Sequence, residues 1–189
     1  MAIRHWIIAA GVAAVLAGAG PAGAQVSVIG NGLTGACSTA AKGVASNAPA
    51  RASAVQECTL ALQEVLTPHE RAGTLVNRGV IYLAGSQFEA ARKDFDEALK
   101  VEPGLPEALT NRGAAMLGLH READAIADID KGLALNPIEP EKAYFNRAVA
   151  ELRTGDVKNA YLDFKKASEL KPDWELPKTE LTHFKVSGG

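Results

Sequence analysis

Three sets of residues in this sequence have types and spacings that could do chemistry. Gly30, Gly32 and Gly35 fit the G-x-G-x-x-G pattern, in which a loop lets backbone amides approach a pyrophosphate, and Val26-Ser27-Val28-Ile29 could supply the extended stretch before it. That chemistry needs a strand-helix-strand unit around the loop, whereas the chain beyond Gly35 has helical periodicity only, so the glycines read as a glycine-rich N-terminal segment. Cys37 and Cys58 are the only two cysteines. No histidine accompanies them, and His69, His120 and His183 stand singly, so a metal site is not expected. The pair reads as a disulfide closing a loop of about twenty residues, worth roughly 3 kcal/mol in the chain-entropy model. The competing reading is two buried free thiols. The third set is Arg78, Arg112 and Arg147, which recur together with Asp94, Asp128 and Asp163, each aspartate sixteen residues after its arginine. The planar guanidinium can meet a carboxylate with two hydrogen bonds. An arginine ladder for an acidic ligand is one reading. The strict co-recurrence of the aspartates favours the other, ion pairs that tie one helix to the next. No nucleophile–base pair, paired-carboxylate motif or metal-ligand spacing stands out. No catalytic residue, cofactor or metal is expected, and the chain reads as a non-enzyme.

The elements that would position these residues are bounded by the ends of the chain and its composition. Trp6 to Ala19 is an apolar run preceded by Arg4 and succeeded by Ala22-Gly23-Ala24. It is short for a membrane span and has the form of a cleavable signal peptide over residues 1–24, with a mature start at Gln25. The competing reading is an uncleaved N-terminal anchor. Export would place the protein in the periplasm and permit the disulfide. The formal net charge is −2 and no basic patch or run is present, so nucleic acid is a poor partner. No membrane contact is expected beyond the signal peptide.

After an irregular segment over residues 25–52, in which Cys37 to Lys42 could form one or two helical turns, Val55, Cys58, Leu62 and Val65 recur at helical spacing and predict a flanking helix within residues 53–71. Beyond it the sequence repeats at about 34 residues. Asn77-Arg78-Gly79 returns as Asn111-Arg112-Gly113 and Asn146-Arg147-Ala148, and each unit closes on a proline: Pro103, Pro137, Pro172. The units span residues 72–105, 106–140 and 141–174. Each predicts two helices: Glu70–Ala84 with Phe88–Val101, Leu105–Leu117 with Glu122–Leu135, and Glu141–Arg153 with Val157–Leu170. A final helix from about Leu176 lies within residues 175–189. Small residues (Gly79, Gly113, Ala148; Ala91, Ala125, Ala160) mark close helix crossings, and Tyr82, Phe95, Met116, Ile129 and Phe164 fill the space beside them.

This pattern strongly resembles the tetratricopeptide repeat, over Ala72 to about Asp173. Leu75, Gly79, Tyr82, Ala91, Phe95, Ala98 and Pro103 match in the first repeat. Leu109, Gly113, Met116, Ala125, Ile129, Gly132 and Pro137 match in the second, and Tyr144, Ala148, Ala160, Phe164, Ala167 and Pro172 in the third. Glu151 departs from the pattern, standing where Tyr82 and Met116 stand in the other repeats. The join through Ile138-Glu139-Pro140 is one residue longer. The resemblance implies an all-α, right-handed α-solenoid of three helix pairs with an N-terminal flanking helix and a C-terminal cap helix. It also implies a concave groove, lined by the first helix of each pair, that binds a segment or helix of another protein.

On that face the sequence offers Val76, Val80, Leu83, Thr110, Ala114, Leu117, Phe145, Val149 and Leu152, with Glu107, Lys142 and Arg153 at its edges, and Phe145 is the expected anchor. The competing reading is that these residues pack against neighbouring helices. The lysine-and-asparagine clamp by which some members hold a terminal carboxylate is not evident, because Val76 and Val80 sit where it would begin. The function expected is protein–protein interaction or scaffolding in the bacterial cell envelope. The alternatives are a small envelope enzyme or substrate carrier with its site in the N-terminal segment, or a subunit of a secretion assembly.

Overall fold

The structure, a computed structural model, describes residues 6–8, 32–45 and 53–186. Within them the chain runs β1 (Trp6–Ile8), α1 (Leu33–Ala45), α2 (Ala54–Ala61), α3 (Pro68–Ala84), α4 (Phe88–Val101), α5 (Pro106–Gly118), α6 (Glu122–Ala134), α7 (Pro140–Thr154), α8 (Val157–Leu170), α9 (Glu175–Leu181) and β2 (Phe184–Val186). The three repeats are the pairs α3–α4, α5–α6 and α7–α8. Each second helix also packs on the first helix of the next pair, which makes the array a helical solenoid.

The local chemistry sets the boundaries. Pro68, Pro106 and Pro140 occupy the first turns of α3, α5 and α7, where a missing N–H costs nothing and φ is already helical. Thr67 and Glu70 close a reciprocal capping box at the start of α3. Each of these helices then ends against one left-handed residue at the same point of the repeat: Ser86 at φ 55°, His120 at 57° and Gly155 at 87°. A single left-handed residue reverses the chain into the second helix; only the third repeat uses the glycine that adopts it without steric cost.

Between the helices of a pair, a large side chain fills a notch left by a small one. Phe95, Ile129 and Phe164 are fully buried. A Cβ added to Gly79 would come 2.5 Å from the Phe95 ring, and one on Gly113 would come 2.5 Å from Ile129 Cγ1. The recurring glycines are therefore packing requirements.

Two expectations change, and one short strand ladder is added to the helices. The segment before the repeats is more ordered than its glycines suggest. α1 starts at Leu33, directly after Gly32 at φ 71°, and runs through Gly35 for 13 residues instead of one or two turns. Burial of Cys37, Ala40, Ala41 and Val44 against α2 and α3 outweighs the weak helix propensity. The flanking helix is shorter than its periodicity implies and ends at Ala61, leaving Val65 exposed. Finally, β1 pairs antiparallel with β2, Trp6 opposite Val186 and Ile8 opposite Phe184. β1 lies in the stretch read as a signal peptide, so this ladder belongs to the uncleaved chain. The other residues of that stretch, the Gln25 start and the extended stretch 26–29 lie outside the described residues.

Candidate protein-interaction surface

The arginine–aspartate pairs are structural. Arg78 donates from Nε and Nη2 to the two carboxylate oxygens of Asp94, at 2.8 and 2.7 Å. Arg112 does the same to Asp128 at 2.6 and 2.8 Å, and Arg147 to Asp163 at 2.6 and 3.0 Å. The aspartates are buried. The remaining Nη1 of each arginine reaches back to the preceding unit: to Thr59 Oγ1 of α2 at 3.0 Å, to Asp96 of α4 at 2.8 Å and to Asp130 of α6 at 2.6 Å. Each guanidinium thus joins three helices. Hydrogen bonding to its aspartate raises the pKa of each arginine, against the opposing effect of burial. The links between repeats were missed by the sequence reading, although they had a signal: Asp94-Phe95-Asp96 returns as Asp128-Ile129-Asp130, whereas Lys165 comes after Asp163-Phe164, where α9 and not a further helix pair follows among the described residues.

The expected groove lining divides into a buried majority and a half-open remainder. Val76, Val80 and Leu83 are buried in one core with Cys37, Ala40, Ala41 and Val44 of α1. Thr110 faces its own repeat, since a Cβ on Gly132 of α6 would lie 2.5 Å from Thr110 Cγ2. Ala114 is 1% exposed, and Leu117 packs with Met116, Ala125 and Ala150. Glu107 is not an edge charge. It is buried, and its Oε1 accepts from the Ile138 amide at 3.2 Å, fixing the one-residue-longer join before α7.

Phe145, the expected anchor, is only 6% exposed and packs on Phe164 and Trp174 at centroid distances of 5.3 and 5.0 Å. The C-terminal cap covers it, so it offers no area to a ligand. For these eight residues the packing reading holds. Lys142, Val149, Leu152 and Arg153, all on α7, keep partial exposure. Lys142 lies 2.8 Å from Glu139, and Arg153 Nη1 donates to the Leu117 carbonyl at 2.9 Å, capping the end of α5.

Cys37 and Cys58 are joined by a disulfide that staples α1 to α2. Gly32 and Gly35 sit at the start of α1, and the two short strands pair with each other, so no strand-helix-strand unit surrounds them among the described residues. No cluster of three or more metal-ligating side chains occurs among those residues, nor any helix long and apolar enough to cross a membrane.

The comparisons agree with this geometry. A tetratricopeptide repeat family model matches residues 72–104 and 141–173, the first and third pairs. The Hsp70-Hsp90 organizing protein of Triticum aestivum is 32% identical over 108 residues, 57% of this chain but 18% of its own length. The chain thus spans under a fifth of the curated relatives it matches. The first TPR domain of human RPAP3 superposes with a TM-score of 0.56 at 28% identity, covering 61% of this chain and 90% of that domain. The first TPR of Spaghetti (RPAP3), solved bound to the HSP90 peptide SRMEEVD, gives 0.56 at 26% identity, with 60% and 89% covered. With the repeat period, the small-residue crossings and the solenoid stacking, these likenesses show that α3 to α8 form a tetratricopeptide-repeat array, with residues 72–104 and 141–173 matched directly as tetratricopeptide repeats.

Proposed function

We propose that this protein is a non-catalytic protein-binding module of the bacterial cell envelope, exported by a cleaved signal peptide. The observation that carries the binding surface is the contraction of the apolar strip onto α7, where Val149 and Leu152 remain half-open between Lys142 and Arg153. Support for a peptide-type partner comes from the RPAP3 relative, solved with a bound peptide. The chemistry here differs from recognition of a terminal carboxylate. Val76 and Val80, at the point where such a clamp would begin, are buried and apolar. Apolar side chains of the partner would supply the contact on Val149 and Leu152, while Lys142 and Arg153, engaged by Glu139 and by the Leu117 carbonyl and Glu122, bound the strip.

A photo-crosslinking residue placed at Leu152 tests this, with Leu162 of α8, 49% exposed, as the control. In envelope extract, position 152 is expected to capture a defined partner and position 162 none. Equal capture at both, or none at 152, would overturn the site. Export is tested separately by intact mass: the envelope fraction should hold a chain beginning at Gln25, and a chain still carrying Met1 would refute cleavage.

A further inference from the structure

Glu151 stands where the other two pairs carry Tyr82 and Met116, and its setting there is unusual for a carboxylate. It is 9% exposed, its Oε2 is buried without a hydrogen-bond partner, and its Oε1 lies 3.9 Å from Arg147 Nε. Arg147 is already committed, holding Asp163 of α8 with two bonds and Asp130 of α6 with a third. The charged groups around Glu151 are therefore Asp130 from α6, Arg147 from α7, Asp156 from the turn after it and Asp163 from α8: one cation against three other carboxylates.

We propose that Glu151 makes the joint between the second and third helix pairs sensitive to protons. When neutral, its carboxyl sits in the packed interior and leaves Arg147 to bind α6 to α8. When ionised, it competes with Asp130 and Asp163 for that single guanidinium and loosens the joint. Burial, reinforced by Asp163 and partly offset by Arg147, pushes the pKa of Glu151 up to about 7 from 4.5. The folded protein then holds a proton that the unfolded chain releases, so this group's contribution falls as pH rises from about 4.5 to about 7 and is level above that. The proposal concerns the joint itself and can be judged apart from the docking site on α7.

The test compares thermal midpoints of the full chain and its Glu151→Gln variant between pH 5.5 and 8, with amide exchange in α7 and α8 measured in parallel. Histidines titrate in the same window, so the difference between the two proteins is what is read. The wild-type midpoint is expected to fall with rising pH by about 3 °C more than that of the variant, with faster α7 exchange above neutrality in the wild type only. Should Glu151→Gln fold poorly, Glu151→Met, which copies the second repeat, provides the same comparison. Parallel profiles for wild type and a folded variant would overturn the proposal.

Discussion

Replacing Arg112 by methionine is expected to lower the stability of the array by about 3 kcal/mol. The guanidinium is the middle rung of the ladder and, like that of Arg147, holds carboxylates on both neighbouring second helices, here Asp128 on α6 and Asp96 on α4. The two partners are unequal. The Asp128 side chain is 7% exposed and the Asp96 side chain 29%. Removing the cation leaves Asp128 as an uncompensated buried charge, the costly case. Asp96 retains Arg92 and solvent, and a half-exposed ion pair contributes little. Methionine preserves most of the buried stem, so the loss reports the charge more than the packing. Asp96→Asn should therefore cost under about 1 kcal/mol. Urea denaturation with its slope monitored distinguishes the two, because a solenoid can lose cooperativity when one interface weakens. A loss below about 1 kcal/mol for Arg112→Met would mean that the rungs behave as surface pairs.

How far the sequence could be read differs from element to element. The repeats were legible because the signal is redundant: Gly79, Gly113 and Ala148 each need a large partner sixteen residues on, and each has one in Phe95, Ile129 and Phe164. α1 was not legible, since Gly32 and Gly35 oppose a helix locally and only contact with α3, far along the chain, favours one. The groove was misread for a related reason. Helical spacing says which residues share a face, but not what covers that face. α1 and the cap residue Trp174, lying outside the matched repeats, bury Val76, Val80 and Phe145 in ways no period reveals. Glu151 was legible as a departure from the pattern but not as a titrating group, because its environment is assembled from α6, α8 and the turn between α7 and α8.

The second large effect is expected at the N-terminal cap. Assay of the denatured, unreduced protein should find no free thiol, because Cys37 and Cys58 are bonded and both are wholly buried. Changing both to alanine should cost about 3 kcal/mol by the loop-closure argument, concentrated in one part of the molecule. α1 has 13 residues and α2 only 8, lengths at which an isolated helix is marginal in water. Ser53, at the start of α2, gives its backbone no side-chain cap. What remains to seat the pair is the small-residue contact of Ala40, Ala41, Val44 and Ala54 with the apolar residues of α3, together with the bonds from Arg78 to Thr59 and from Arg71 to the Leu62 carbonyl at the α2 end. Alanines bury little area each, so that contact is weak compared with the Phe95, Ile129 and Phe164 cores further along. In the double variant, amides of α1 and α2 should exchange at least tenfold faster, while those of α5 to α8, held by their own pairs and ladder, keep their protection. Val76 and Val80 would then be exposed on the face where helical spacing alone puts the groove. If α1 amides stay protected in the double variant and its unfolding midpoint matches the wild type, the bond is incidental and apolar contact alone seats the cap.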